Sequence, residues 1–216
     1  METTRARLIT AAEHLFAARG IDAVSLREIN RAAGARNAVA VQYHFEDRAG
    51  VVRAVLQKHR PGVEARRHAM LDEYEVDVAG DLRRLAAALV RPWAAKLADP
   101  DGGPEYLQIR AEVLNRPRPP AVAVVPADAS DSIHRWRSLV EPLLGRDAIR
   151  LHRRFTAMRL AAGELGRRAS SAPHTDDRLF VSHLVDLVAA ILSAPVSGET
   201  LRLADDRDAS RTRPPD

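Results

Sequence analysis

Apolar residues recur along most of the chain at the three- and four-residue spacing of an α-helix. The first twenty residues have one apolar face, and Gly20 follows it where a C-terminal helix cap is expected. No segment alternates apolar and polar residues convincingly, as a half-buried strand would. The pattern therefore predicts an all-α protein whose first helix contains Leu8, Ala12, Leu15 and Phe16.

A second helix is predicted to begin near residue 26, because Ser25 and Glu28 have the spacing of a capping box. Gly34 ends this helix in a tight turn, and a short third helix follows. Asp47 can cap a fourth helix, which Pro61 is expected to stop. Two helices joined by such a turn form the unit that lays a recognition helix in the DNA major groove.

The remainder of the chain also has helical periodicity. We predict helices over about 63–75, 80–97, 106–114, 131–144, 147–168 and 176–193. The charged tail has few apolar residues and is expected to be mobile. The predicted organisation is a helix-turn-helix DNA-binding domain over 1–60, a larger helical ligand-binding and dimerisation domain over 61–198, and a mobile tail over 199–216.

Positive charge is concentrated in the N-terminal segment. Residues 1–60 contain ten basic and six acidic residues, whereas the rest of the chain contains 23 of each. The net charge of +4 therefore lies on the predicted DNA-binding segment, which is the part that has to approach phosphate. A chance distribution of so small an excess is the alternative.

Several features of the N-terminal segment form an ordered set. The first helix ends at Gly20, Ser25 caps the second, Ala33-Gly34 form the turn, and the cluster Tyr43-His44-Phe45 is followed by Arg48. With these features, residues 5–56 resemble the DNA-binding domain of the TetR family of bacterial repressors. The segment from Gly34 to Phe45 is one residue longer than the family pattern, which leaves the register of the base-reading positions open by one residue. Asn30 replaces a small apolar residue and, if buried, needs hydrogen-bond partners.

Several residues of this segment are candidates for DNA contacts. Arginine can pair with guanine, and asparagine or glutamine with adenine, so Arg36, Asn37 and Gln42 are predicted to contact base edges. Asn37 could equally be a helix N-cap, and the family's phosphate-binding tyrosine could correspond to Gln42 or Tyr43. Tyr43, His44 and Arg48 are better suited to phosphate, and Ser25 and Arg27 complete the predicted surface.

The last two long helices have apolar faces wider than a surface helix needs. Interior helices of a monomer would explain this width. The family, however, uses its last two long helices in an intersubunit four-helix bundle. The resemblance therefore implies a homodimer through Phe155, Phe180, Leu184, Leu187, Val188 and Ile191.

Aromatic and methionine side chains on the middle helices are candidates for a ligand chamber. The resemblance implies that this domain binds a small, often apolar, molecule that alters DNA affinity. Ordinary core packing is the alternative for each residue. The predicted ligand-binding residues are Trp93, Tyr106, Trp136, Phe155 and Met158.

We interpret the chain as a DNA-binding transcriptional regulator, a homodimeric repressor of a palindromic operator that a small apolar or aromatic ligand releases. The rival is a helical small-molecule carrier or enzyme that does not bind DNA. The sequence contains no glycine-rich phosphate loop, HExxH or GxSxG motif, so we expect no catalytic residues, enzymatic activity, cofactor or metal. The absence of cysteine and of a long apolar segment predicts a soluble cytoplasmic protein with no membrane partner.

Overall fold

In the computed structural model, which describes residues 3–35, 40–77, 80–117, 130–171 and 174–212, all regular structure is helical. This confirms the all-α prediction. Short 3-10 turns over Ala95–Ala98 and Glu141–Leu143 follow the fifth and seventh helices. The helices are α1 (Thr4–Arg19), α2 (Leu26–Ala32), α3 (Ala40–Phe45), α4 (Arg48–Asp77), α5 (Leu82–Ala94), α6 (Gly103–Asn115), α7 (Ser132–Val140), α8 (Arg146–Arg150), α9 (Arg153–Ser170), α10 (Arg178–Ser193) and α11 (Gly198–Thr212).

Two apolar cores share α4 and α6. The smaller core joins α1–α4 and includes Ile109 and Val113 of α6. The larger core joins α4–α10 and includes Tyr106, which lies one turn earlier on α6. Helix α4 contributes its first half to the smaller core and its second half to the larger one. A movement of either shared helix would therefore disturb both cores.

Helix α4 continues through Pro61, contrary to the prediction that the fourth helix stops there. Proline removes the amide that would bond to the Gln57 carbonyl. Gln57 and Pro61 are not buried, so water can reach this side of the helix. Beyond the proline, Val63 and Leu71 are buried in the larger core, and this packing favours continuing the helix. The boundary predicted at residue 60 therefore lies inside a helix.

Two further segments differ from the prediction. The helix predicted over 147–168 is divided at His152, whose φ of 56° is left-handed. Where a mobile tail was predicted over 199–216, the structure has helix α11, and residues 213–216 lie outside the described residues. Arg150 holds α11 through Asp205 and Asp208, at 2.8 and 2.7 Å. Apolar content did not predict this helix, because charged contacts with α8 supply much of its attachment.

No described helix is by itself long and apolar enough to cross a membrane. Only α10 and α11 taken together, with a 61° bend between them, reach that length and composition.

A buried charged cluster attaches α1 to α4. The Glu13 carboxylate, which is 1% exposed, accepts hydrogen bonds from Lys58 Nζ and His59 Nε2, both at 2.8 Å. Burial lowers the pKa of Lys58, but its hydrogen bonds to Asp101 and Glu13 outweigh that effect and raise it. Gly102 has a φ of 77°, and a Cβ there would lie 2.6 Å from a Glu13 oxygen. The cluster therefore joins α1, α4 and the loop before α6.

We predict that Glu13→Ala lowers the free energy of unfolding by about 1–3 kcal/mol, because His59 loses a buried partner and Lys58 keeps only Asp101. Urea denaturation of the full chain measures this change. His14→Ala is the control, since His14 is adjacent and its contact with Glu105 lies at the surface. Equal stabilities of the two variants would show that the cluster does not hold α1.

Candidate nucleic-acid interface and effector cavity

The predicted capping box forms at the start of α2. The Ser25 amide donates to Glu28 Oε2 at 2.9 Å, and the Glu28 amide donates to Ser25 Oγ at 3.3 Å. The Ser25 hydroxyl also donates to Glu28 Oε2, at 2.7 Å. The bonds that the Glu28 carboxylate accepts from the Ser25 amide and hydroxyl, with a third from Arg19, lower its pKa to about 2, so it is charged at neutral pH. Ser25 therefore orients α2, and its predicted DNA contact remains a prediction.

Asn30 joins the two helices of the motif. It is 6% exposed, and its Oδ1 accepts a hydrogen bond from the Val41 amide at 3.2 Å. Its own carbonyl accepts from the Ala35 amide, just after Gly34, whose φ of 58° is the left-handed turn expected there. Val41 is in the first turn of α3, where backbone amides have no partner within the helix. The predicted need for partners is confirmed, and Asn30 fixes α3 against α2.

Helix α3 buries Ala40, Val41 and Phe45 and exposes the three side chains between Val41 and Phe45. Val41 and Phe45 lie in the smaller core. Gln42, Tyr43 and His44 are exposed, and Tyr43 is 84% exposed with its ring edge-on to His44 at 5.2 Å. The anchored helix therefore presents an amide, a phenol and an imidazole outward.

The remaining predicted DNA residues have different positions. Arg48 begins α4, with Nη1 3.8 Å from Asp22 Oδ1 and a buried Nε that has no hydrogen-bond partner among the described residues. Arg27 is on α2 and is not buried. Arg36 and Asn37 lie outside the described residues, so their predicted base contacts stay predictions.

Sequence reasoning missed Arg5. This exposed residue of the first turn of α1 has its guanidinium carbon 5.3 Å from the centre of the Phe45 ring. The contact brings a cation to the end of α3, where a phosphate could be reached. Its position in the basic segment could have indicated a phosphate contact. The sequence alone, however, does not reveal which end of α1 contacts α3.

The anchored, outward-facing α3 lies within a segment that matches the family model described as bacterial regulatory proteins, tetR family, over residues 8–55. This segment is therefore similar to the N-terminal part of TetR-family regulators. The chain is also similar to the HTH-type transcriptional regulator TtgR of Pseudomonas putida, with 34% identity over 84 residues. That similarity covers 39% of this chain and 40% of the relative, so this chain spans less than half of TtgR.

A cavity of about 110 Å³ lies between α4, α5, α6, α7 and α9. Trp93, Tyr106 and Met158 line it, and their ligand contacts stay predictions. Trp136 does not, because it is packed in the core with its indole nitrogen donating to a backbone carbonyl of α5 at 2.7 Å. Phe155 is 39% exposed and also lies outside the lining. These two assignments are therefore corrected. The described residues contain no group of three or more metal-ligating side chains.

Two predicted dimer residues face the interior of their own chain. Leu184 and Val188 are 1% and 0% exposed and pack in the larger core, so they cannot form a surface for a partner. Helical periodicity grouped them with α10's other apolar residues, but it does not reveal which element covers which part of a wide face. The other four predicted residues remain partly exposed: Phe155, Phe180, Leu187 and Ile191.

We expect Asn30→Ala to cost about 1–3 kcal/mol of unfolding free energy, because the Val41 amide is left without its partner. The measurement is urea denaturation, with hydrogen exchange at the Val41 amide as a local readout. Asn115→Ala serves as the control, since exposed Asn115 donates to a carbonyl one turn earlier in its own helix. Unchanged exchange at Val41 in Asn30→Ala would contradict the role given to Asn30.

Proposed function

We propose that this protein is a DNA-binding transcriptional regulator that inserts α3 into the major groove of its operator. The observation that carries the proposal is the anchored α3 with Gln42, Tyr43 and His44 exposed, within a segment similar to TetR-family regulators. The net positive charge of the N-terminal segment supports it, since the charge attracts the phosphate backbone.

The exposed residues divide by chemistry. The Gln42 amide suits the N6 and N7 edge of adenine. Tyr43, Arg48 and Arg5 suit phosphate, because a phenol or a guanidinium can donate to its oxygens. Arg36 and Asn37 keep their proposed base contacts.

We further propose that two chains associate through α9 and α10. Phe155 and Leu187 are 39% and 40% exposed, and Leu179 at the start of α10 is 83% exposed. These side chains would be covered in an isologous pair. Such a pair presents two copies of α3 to successive major grooves, about 34 Å apart, and would therefore select a palindromic operator.

The cavity is proposed to control DNA affinity through the two shared helices. Tyr106 lines the cavity, and its ring centre lies 4.7 Å from that of His59, whose partner Glu13 belongs to α1. Farther along α6, the Glu112 carboxylate accepts hydrogen bonds from the Ile21 amide just after α1. An effector that binds more tightly to one arrangement of α4 and α6 would therefore shift α1, and with it α3. We therefore propose that the protein is a repressor, and that binding of such an effector releases it from its operator.

Salt-dependent DNA binding distinguishes a regulator from the alternative function, a helical carrier or enzyme that does not bind DNA. The full chain should be titrated by fluorescence anisotropy against DNA flanking its own coding region, at several salt concentrations. A regulator gives tight binding to one palindromic site and a steep decrease in affinity with salt. Weak binding that is equal on all sequences would remove the proposal.

Single substitutions should separate the two kinds of DNA contact. Arg48→Ala should weaken binding to every sequence and reduce the salt dependence by about one counterion, since it removes one phosphate contact. Gln42→Ala should instead lose roughly 1–3 kcal/mol of discrimination at particular base pairs. Anisotropy on operator variants measures both effects.

Arg178→Ala is the control for charge, because Arg178 is an exposed residue at the start of α10. If Gln42→Ala weakens binding equally on every operator variant, Gln42 contacts phosphate and the register of α3 is displaced by one residue.

For the dimer, Leu187→Glu is expected to yield folded monomers, because it places a charge in the proposed interface. Sedimentation velocity at micromolar concentration, with circular dichroism for folding, gives the answer. Leu203→Glu is the control, since Leu203 is 62% exposed on α11 outside that interface. A stable wild-type monomer would exclude this mode of operator binding.

A further inference from the structure

The cavity wall carries more positive than negative charge. Its described lining includes two carboxylates, and both already have partners. The Glu64 carboxylate accepts two hydrogen bonds from Ser132 at 2.8 Å, and Asp131 caps α7 and pairs with Arg60. The lining also includes five arginines: Arg53, Arg60, Arg67, Arg110 and Arg137.

Arg67 is a fully buried cation on this wall. Its Nε donates to the Ala88 carbonyl at 3.1 Å, which has no helical partner because Pro92, four residues later, lacks an amide hydrogen. Its Nη1 donates to Ser132 at 2.9 Å, with Glu64 farther off at 3.9 Å. Its Nη2 is buried without a hydrogen-bond partner among the described residues. The guanidinium is therefore held rigidly with one donor unused.

Arg110 brings a second cation to the same place. Its guanidinium carbon lies 3.9 Å from the centre of the Trp93 ring, and that of Arg67 lies 5.2 Å from it. The Nε of Arg110 is also buried without a partner in the described parts of the chain. Burial, and next the repulsion from Arg110, lower the pKa of Arg67 to about 10. One buried and one half-buried cation, each with a buried donor left unused, are costly unless an anion joins them.

We propose that the cavity binds an aromatic carboxylate, with its acidic group between Arg67 and Arg110 and its ring among Trp93, Tyr106 and Met158. A carboxylate accepts from guanidinium groups in planar geometry, and it neutralises part of the excess charge. The aromatic side chains supply the apolar surface that a flat ring needs. This inference rests on the proposed function only where it names the effector. It narrows the predicted effector from a small apolar or aromatic molecule to an aromatic acid.

The test compares an acid with its uncharged amide on the full chain without DNA. Benzoate and cinnamate are titrated against benzamide and cinnamamide, using tryptophan fluorescence and isothermal calorimetry. Each acid should bind at least about tenfold more tightly than its amide, which is the value of one charge-assisted hydrogen bond. Equal affinities of acid and amide, or no binding by any acid, would overturn the proposal.

Arg110→Met tests the site itself. Arg110 is only half-buried, so this variant is less prone to unfolding than Arg67→Met, which would leave the Ala88 carbonyl without a donor. Acid affinity should fall at least about tenfold, and Arg110→Lys should restore part of it. Arg159→Met is the matched control, because Arg159 also lies over an aromatic ring, Phe155, outside this cavity. Undiminished acid binding by Arg110→Met would contradict the assignment.

A second assay separates this inference from the proposed function. The acid that binds is added to the protein on its operator, and release is followed by anisotropy. If acid binding requires Arg110 but the protein stays on its operator, the cavity assignment is supported and the proposal that the effector releases the protein from DNA is wrong. Failure of the protein to bind any DNA removes the regulator while the calorimetric result stands.

Discussion

A charge removed from water must have partners, and the attachment of the DNA-binding domain depends on this constraint. Glu13 lies almost fully buried between two helices, with a hydrogen bond from Lys58 to one oxygen and from His59 to the other. Because these partners belong to α4 and a third contact reaches Asp101 before α6, α1 cannot turn independently of the helices that line the cavity. The same cluster therefore gives stability and restricts motion.

The cavity presents the opposite case, in which buried charge is only partly satisfied. Arg67 donates to Ala88 and Ser132 but retains an unused donor, and Arg110 adds a second cation over the same indole. A protein that used this space only for packing would be better served by apolar side chains. The free-energy cost of burying these cations is offset if an anion binds between them. The charge of the lining therefore indicates the charge of the ligand.

Helices α4 and α6 connect the candidate DNA-binding surface to the cavity. Each contributes to both cores, so there is no hinge at residue 60 where the sequence predicted a boundary. Small displacements of packed helices tend to be transmitted rather than absorbed, because interiors are densely packed. The proposed effector control would therefore act through small shifts of rigid helices rather than through a flexible linker.

Local chemistry explains which features could be read from the sequence. The Ser25–Glu28 capping box, the turn at Gly34 and the cap at Asp47 each involve residues within a few positions of one another, and all three form as predicted. Helical periodicity likewise identified most of the helices, and the turn at Gly34 indicated the short α3. These features could be predicted because each depends on residues that lie within one or two helical turns of one another.

Tertiary structure decided whatever depends on contacts between distant residues. It continued α4 through Pro61, turned Leu184 and Val188 inward, and packed Trp136 in the core rather than in the cavity. It also brought Arg67 to the carbonyl that Pro92 frees, across 21 positions of sequence. Periodicity groups residues into a face, but only the packed neighbours determine whether that face meets the core, a cavity or the solvent.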